Sequence, residues 1–295
     1  MSNKIKSYIK EKRDSLSASS ITTYASILKN LYKRIFGDED YDMSKFSNSK
    51  KVLDFLKDLP PNKRKTILSA LVIITDKKAY RDLMLEDVRD YNKEISKQMK
   101  SDTQEENWIS QDVISDLIKE QKQNATLLYK KKQLTPSDLQ QIQGYVILSL
   151  LAGTYIPPRR SKDYTDFKIR NIDKDDDNYI LKGKMIFNSY KTSKTYGRQE
   201  VDIPTPLKTI LNKWIKVNPT EYLLFDSNFK PLSSVKLNQR LNKLFYGKKI
   251  SVNMLRHFFL TDEFGATISQ KKKVDDTMED MGSSSNMLST YVKRP

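Results

Sequence analysis

Residues 100–107 read Lys-Ser-Asp-Thr-Gln-Glu-Glu-Asn, eight positions with no apolar side chain. A hydrophobic core cannot pass through a segment that contributes nothing to it. The chain is therefore expected to divide here, and its 295 residues are enough for two cores. The expected units are residues 1–104 and 105–295, with Trp108 opening the core of the second.

The two parts differ in hydrophobic period. In the first, Ile21, Tyr24, Leu28, Leu31, Tyr32 and Ile35 recur at helical spacing behind the N-cap candidates at positions 17–20, and Gly37 ends the run. Val52, Leu53, Phe55 and Leu56 predict a second helix over 49–58, broken by Pro60-Pro61. A third runs through Ile67, Leu68, Leu71, Val72 and Ile74, and a fourth from about 79 to 100. The second part is mixed. Helices are predicted over 108–128, from Pro136 through the apolar run 145–151, and over 207–217, 233–244, 251–264 and about 284–291. Short strands are predicted over 178–181, 184–187 and 199–203, with turns at Lys182-Gly183 and Tyr196-Gly197. The fold class is mainly α with a small antiparallel β-sheet: an N-terminal helical bundle, then an α+β domain.

Charge limits the partners. Residues 1–100 carry 22 Lys+Arg against 14 Asp+Glu and residues 101–295 carry 31 against 23, so each part is +8 and the chain +16. A basic tail would concentrate the excess; two basic units suit a clamp around a polyanion. With no cysteine, disulfides, thiolate chemistry and Cys-type zinc sites are excluded, and one histidine leaves only an all-oxygen metal site. No apolar run reaches the length of a membrane span and no signal segment is visible, so no membrane partner and an intracellular location are expected.

Opening a DNA phosphodiester without a metal needs a nucleophile, fixed cations on the non-bridging oxygens, and an acid for the leaving 5′ oxygen. Tyrosine suits the first role, because its ester conserves the bond energy. Arginine suits the second through its planar, permanently charged fork. A lysine with a lowered pKa suits the third. Candidates stand in order along the chain. Arg160 follows Pro157-Pro158-Arg159, and Asp163 three residues on is expected to orient it. Lys191 and Lys194 lie in Tyr190-Lys191-Thr192-Ser193-Lys194-Thr195, between two predicted strands. Arg256 sits in Met254-Leu255-Arg256-His257-Phe258-Phe259, and Tyr291 comes near the end. Each has a plainer reading alone: a surface arginine pair after a Pro-Pro turn, ordinary hairpin lysines, a packed histidine.

In this order the residues resemble the tyrosine recombinase, or phage-integrase-like, family. The resemblance covers most of residues 108–295 and touches the first unit only in type. Arg160-Ser161-Lys162-Asp163 resembles the first-arginine motif. Leu255-Arg256-His257-Phe258-Phe259-Leu260-Thr261 resembles the second-arginine box, and Met281-Gly282-Ser283-Ser284-Ser285 followed by Tyr291 resembles the final box. Two family histidines are replaced, one by Asn253 and one by Ser283. Either replacement can donate a hydrogen bond to phosphate, but neither relays a proton as imidazole does. The resemblance implies a helical, SAM-like core-binding domain and a catalytic domain of the DNA breaking-rejoining type. It implies that Arg160 and Arg256 clamp the phosphate, that Lys191 (preferred over Lys194) is the general acid, and that Tyr291 forms a 3′-phosphotyrosyl link. Asn253, Ser283, Arg159 and His257 would be auxiliary. It implies double-stranded DNA as partner, a tetramer on DNA and no cofactor; the lysine-rich, glycine-poor composition without cysteine suits a virus or mobile element. Four residues follow Tyr291, too few for firm docking on a neighbour, so a monomer that assembles on DNA is expected. The alternatives are a type IB topoisomerase-like enzyme and a degenerate DNA-binding homologue.

Two other constellations carry less. Asp173-Lys174-Asp175-Asp176-Asp177 lacks the glycine and glutamate of a calcium loop and reads as a polar turn. Lys271-Lys272-Lys273 and Asp275-Asp276 read as solvated loop, and no phosphate-binding Gly-x-x-x-x-Gly-Lys loop is present.

Overall fold

Ile5 and Ile9, one helical turn apart, are buried at the start of a chain whose computed structural model describes residues 2–37 and 42–293. Arg294 and Pro295, half of the four-residue tail, lie outside the described residues. By its internal contacts the chain forms two units, Met1–Lys100 and Ser101–Pro295.

The described residues of the first unit form only helices and their connections: α1 (Ser2–Lys12), α2 (Ala18–Phe36), a 3-10 turn (Met43–Ser47), α3 (Ser49–Leu56), α4 (Pro61–Thr75) and α5 (Lys78–Ser96). Ser17 caps α2, its hydroxyl accepting from the Ser20 N–H, and Gly37 ends the helix at φ 86°. Helix α1 was not expected from the sequence. Its polar composition hides a narrow stripe, Ile5 and Ile9, that enters the same core as Leu28, Tyr32, Leu56 and Leu71. Two polar links fix this bundle. Asp87 is fully buried and receives Nε and Nη2 of Arg64 at 2.9 and 2.6 Å, joining α4 to α5. The Tyr80 hydroxyl donates to the Phe46 carbonyl at 2.6 Å, and burial pushes this phenol up to about 12.

The second unit opens with α6 (Asp102–Asn107), so most of the apolar-free stretch is helix and not linker. A capping box between Ser101 and Gln104 starts it. At its end Asn107 is buried and accepts the Lys249 N–H at 2.7 Å, which ties this helix to the second unit. Then follow α7 (Gln111–Leu128) and α8 (Pro136–Leu151), the latter started by a Thr135–Asp138 capping box and buried from Ile142 to Leu151. After the one-turn α9 (Lys162–Thr165), strands β1 (Tyr179–Leu181), β2 (Lys184–Phe187) and β3 (Gln199–Asp202) form an antiparallel sheet in sequence order, with Tyr179 opposite Ile186 and Lys184 opposite Asp202. Lys182 and Gly183 both have positive φ, 48° and 81°, the two-residue turn whose twist matches paired strands. The one-turn α10 (Ser193–Tyr196) lies between β2 and β3. Helices α11 (Thr205–Val217), α12 (Ser234–Leu244), α13 (Val252–Asp280) and the single turn α14 (Leu288–Tyr291) complete the chain. The protein is thus mainly helical with a small antiparallel sheet, as its hydrophobic periods indicate.

Helix α13 corrects the sequence reading. A helix was expected to stop near Phe264, with Lys271-Lys272-Lys273 and Asp275-Asp276 in loops, yet one helix runs on to Asp280. Residues 266–280 contain neither glycine nor proline, so polarity alone suggested a loop, and a solvated helix is equally polar. The true stop is Gly282, at φ 71°. Its N–H donates to the Glu279 carbonyl and the Ser283 N–H to the Met278 carbonyl, both at 2.8 Å, the paired bonds of a glycine C-cap. Asp173-Lys174-Asp175-Asp176-Asp177 forms a polar turn before β1, with the Asp173 N–H donating to the Asp177 carboxylate at 2.8 Å.

Candidate active site

Arg159 and Arg160 leave the chain side by side between α8 and α9, and the structure treats them differently. Arg159 donates from Nε to Oδ2 of Asp163 at 2.8 Å and from Nη2 to Oε1 of Gln199 at 3.0 Å. Its guanidinium lies over the Phe187 ring, 4.0 Å from the centroid, and 5.3 Å from that of Tyr190. This arginine is held on all sides. Arg160 has no hydrogen bond or ion pair among the described residues. The sequence reading gave Asp163 to Arg160 as its orienting acid, and the structure corrects this: Asp163 pairs with Arg159. The physical reason is the local path of the chain. Arg159 lies in the irregular segment before α9 rather than on the helix, and from there its side chain, packed over Phe187, reaches the Asp163 carboxylate.

Asp163 is 3 % exposed at its side chain. Burial pushes its carboxyl up, and the nearby Arg159, Arg160 and Arg256 guanidiniums pull it back down. Its Oδ1 is buried with no hydrogen-bond partner, which adds to the cost of ionising it. Three cations thus surround one carboxylate that neutralises at most one of them.

Those groups line a single cleft of about 350 Å³, formed by Pro158, Arg159, Arg160, Asp163, Tyr190, Thr192, Tyr196, Gln199 and Arg256. Arg160 and Arg256, 96 positions apart in sequence, therefore meet in one place. Arg256 is also without a hydrogen bond or ion pair among the described residues. A close backbone approach sets this convergence. Gly153, in the turn after α8 with φ 84°, lies so near Phe259 that a Cβ there would stand 2.4 Å from the Phe259 ring. Only glycine permits both that φ and that contact. Phe258, next to it, meets Trp108 edge-on at 4.9 Å between centroids. The turn leading to Arg160 thus packs on the helix bearing Arg256 at the Gly153–Phe259 contact, while Phe258 ties that helix to Trp108.

The remaining sequence-selected residues stand elsewhere. Lys191 and Lys194 are exposed on the β2–β3 connection and are not among the cleft-lining residues, although Tyr190 and Thr192, on either side of Lys191, are. Asn253 and His257, one turn apart on the exposed face of α13, bond to each other at 3.2 Å and do not line the cleft. The Ser283 backbone is committed to the α13 cap. Tyr291 is 57 % exposed on α14 and is likewise absent from the lining. Neither α14 nor the 3-10 turn before it contains a buried residue.

Sequence reasoning quoted Tyr190, Thr192 and Tyr196 only as neighbours of a lysine or as turn residues, and missed Gln199. No periodicity marked them: β2 ends at Phe187 with residues 185–187 all buried, so strand alternation does not reach Tyr190. Among the described residues no three His, Asp or Glu side chains group closely enough to hold a metal ion, and no helix is long and apolar enough to cross a membrane.

Compared with known proteins, the chain matches no protein-family profile and no curated protein. Among solved structures it resembles an XerA recombinase at 16% identity and TM-score 0.36, covering 88% of this chain and 83% of that one. It also resembles a lambda integrase dimer bound to a COC′ core site, at 15% identity and TM-score 0.42, covering 90% and 71%. A third is an XerH site-specific recombinase bound to difH substrate in a pre-cleavage complex, at 14% identity and TM-score 0.40, covering 89% and 85%.

Proposed function

We propose that this protein is a site-specific DNA recombinase or integrase of the tyrosine type, with a catalytic second unit of the DNA breaking-rejoining fold and a DNA-clasping first unit. The observation that carries the reading is the pair Arg160 and Arg256. Two guanidiniums without protein partners line one cleft, beside a third arginine whose charge is already paired. Unpaired, part-buried guanidinium groups are costly unless an anion completes them, and a tetrahedral phosphate offers each a bidentate edge.

In this reading Arg160 and Arg256 hold the non-bridging oxygens of the scissile phosphate and stabilise charge that grows in the transition state. Lys191, next to the cleft-lining Thr192, protonates the leaving 5′ oxygen from its flexible four-carbon stem. The Tyr291 phenol loses its proton to water as its oxygen attacks phosphorus, forming a 3′-phosphotyrosyl bond while the P–O5′ bond breaks and O5′ takes the Lys191 proton. Reversal by a 5′ hydroxyl restores the phenol. Because α14 is fastened by no buried residue, DNA binding can bring Tyr291 to the phosphate at little packing cost. The donors Asn253 and Ser283 play supporting parts, and protomers assemble as a tetramer on DNA.

The test is a nicked duplex from which the cleaved 5′ fragment escapes, so that any covalent complex accumulates. Wild type should form the complex, and Arg160→Ala and Arg256→Ala should reduce it by about 100-fold or more, the usual cost of one transition-state cation. Unchanged yields in both variants would remove the assignment. A second reading, a DNA-binding homologue that does not cut, is favoured by the position of Tyr291 outside the cleft lining. It predicts no covalent complex with any variant.

A further inference from the structure

The cleft holds a second phenol that no part of the scheme above uses. Tyr196 ends α10 in the β2–β3 connection, lines the cleft with Arg160 and Arg256, and is 67 % exposed. The cleft's other hydroxyl, amide and carboxyl groups are mostly committed. The Tyr190 hydroxyl donates to the Gly197 carbonyl at 2.7 Å. The Gln199 amide oxygen and the Asp163 carboxyl both accept from Arg159. The Tyr196 hydroxyl has no partner among the described residues.

Its backbone, by contrast, is fixed. The Tyr196 N–H donates to the Thr192 carbonyl at 3.1 Å and the Gly197 N–H to the Ser193 carbonyl at 2.8 Å. Gly197 turns the chain into β3 at φ 64°. The Tyr190 bond to the Gly197 carbonyl then staples this turn to the cleft floor, and Arg159 lies over the Tyr190 ring. The linkage Asp163–Arg159–Tyr190–Gly197 thus runs from the buried acid to the residue after Tyr196. A side chain whose base is held through four contacts, and whose polar tip is free at the mouth of a cationic cleft, is pre-positioned for a ligand.

We propose that Tyr196 is a third phosphate ligand, its hydroxyl donating to a non-bridging oxygen of the phosphate held by Arg160 and Arg256. This rests on the phosphate role of the cleft. It supplies a neutral donor at a site where Asn253 and His257 bond to each other outside the lining. Tyr196 forms and breaks no covalent bond and keeps its proton; the donated hydrogen bond strengthens as charge grows on the oxygen.

The probe is inorganic phosphate, titrated calorimetrically at low ionic strength into the full chain. Wild type, Tyr196→Phe, Arg256→Ala and Tyr246→Phe are compared, the last an exposed tyrosine outside the cleft. Tyr196→Phe keeps the ring and removes only the donor. It should weaken phosphate about 10-fold, with Arg256→Ala weaker still and Tyr246→Phe unchanged. If Arg256→Ala weakens phosphate and Tyr196→Phe does not, Tyr196 is no ligand and the arginine clamp stands. If Arg256→Ala has no effect, the cleft is not a phosphate site and both readings fall together. If Tyr196→Phe weakens phosphate but wild type never forms a covalent DNA complex, the ligand stands and the strand-breaking reading fails.

Discussion

Arg159 donates to the buried carboxylate of Asp163 at 2.8 Å, and this bond decides which of two adjacent arginines is structural and which is free. The separation is measurable. Arg159→Ala strands a buried carboxylate, a change that costs about 3 kcal/mol when a buried pair loses one member. Arg160→Ala removes no hydrogen bond or ion pair among the described residues and should leave stability within about 0.5 kcal/mol of wild type. Urea denaturation of both variants checks this. Equal losses, or a larger loss for Arg160→Ala, would reverse the assignment.

Gly153→Ala should destabilise the second unit by roughly 1–3 kcal/mol, because the added methyl meets Phe259 at 2.4 Å and the backbone there has φ 84°. The contact and the strain are separable. Gly153→Ala combined with Phe259→Ala should show favourable coupling in a double-mutant cycle, since the clash is gone, while the φ penalty remains. Additive losses would show that Gly153 does not set the approach of the two arginine-bearing segments.

How far the sequence carried can be judged at particular residues. The hairpin was legible because Lys182-Gly183 sits between two strand-forming segments. The polar α1 and the outer half of α13 were not legible, since a solvated helix and a loop share a composition. In the cleft, motif spacing pointed to Arg160 and Arg256, which the fold brings together. Spacing misdirected Asp163, because which of two neighbouring arginines an acid reaches depends on the local turn, and a linear string does not encode it. Tyr196 was hidden as a turn residue; its value comes from the far side of the hairpin, through Tyr190 and Gly197.

Acid sensitivity has a named source in the second unit. The Lys131 ammonium and the Thr135 N–H hold the Asp138 carboxyl down at about 2. Its folded value lies below the unfolded one of about 3.9. The stabilisation is therefore present above about pH 4 and is lost as pH falls toward 2. Asp138→Asn removes the titrating group, so its denaturation midpoint should fall less than that of wild type between pH 5 and pH 2.5. Parallel declines would place the acid lability elsewhere.

Duplex binding should weaken steeply with salt, because several lysine and arginine contacts to phosphates release counterions. A protein making about six such contacts loses roughly 1000-fold in affinity between 50 and 200 mM salt. Arg256→Ala should lower the slope by about one contact and keep most of the affinity. A flat salt response would argue against a polyanion as the partner of two units that are each +8.

The most direct measurement is the identity of the residue joined to DNA. Wild type and Tyr291→Phe are incubated with the nicked duplex, and the covalent peptide is sequenced by mass spectrometry. The account predicts a complex with wild type, attachment at Tyr291, and none with Tyr291→Phe. A complex that persists in Tyr291→Phe, or one attached at Tyr196, would contradict it.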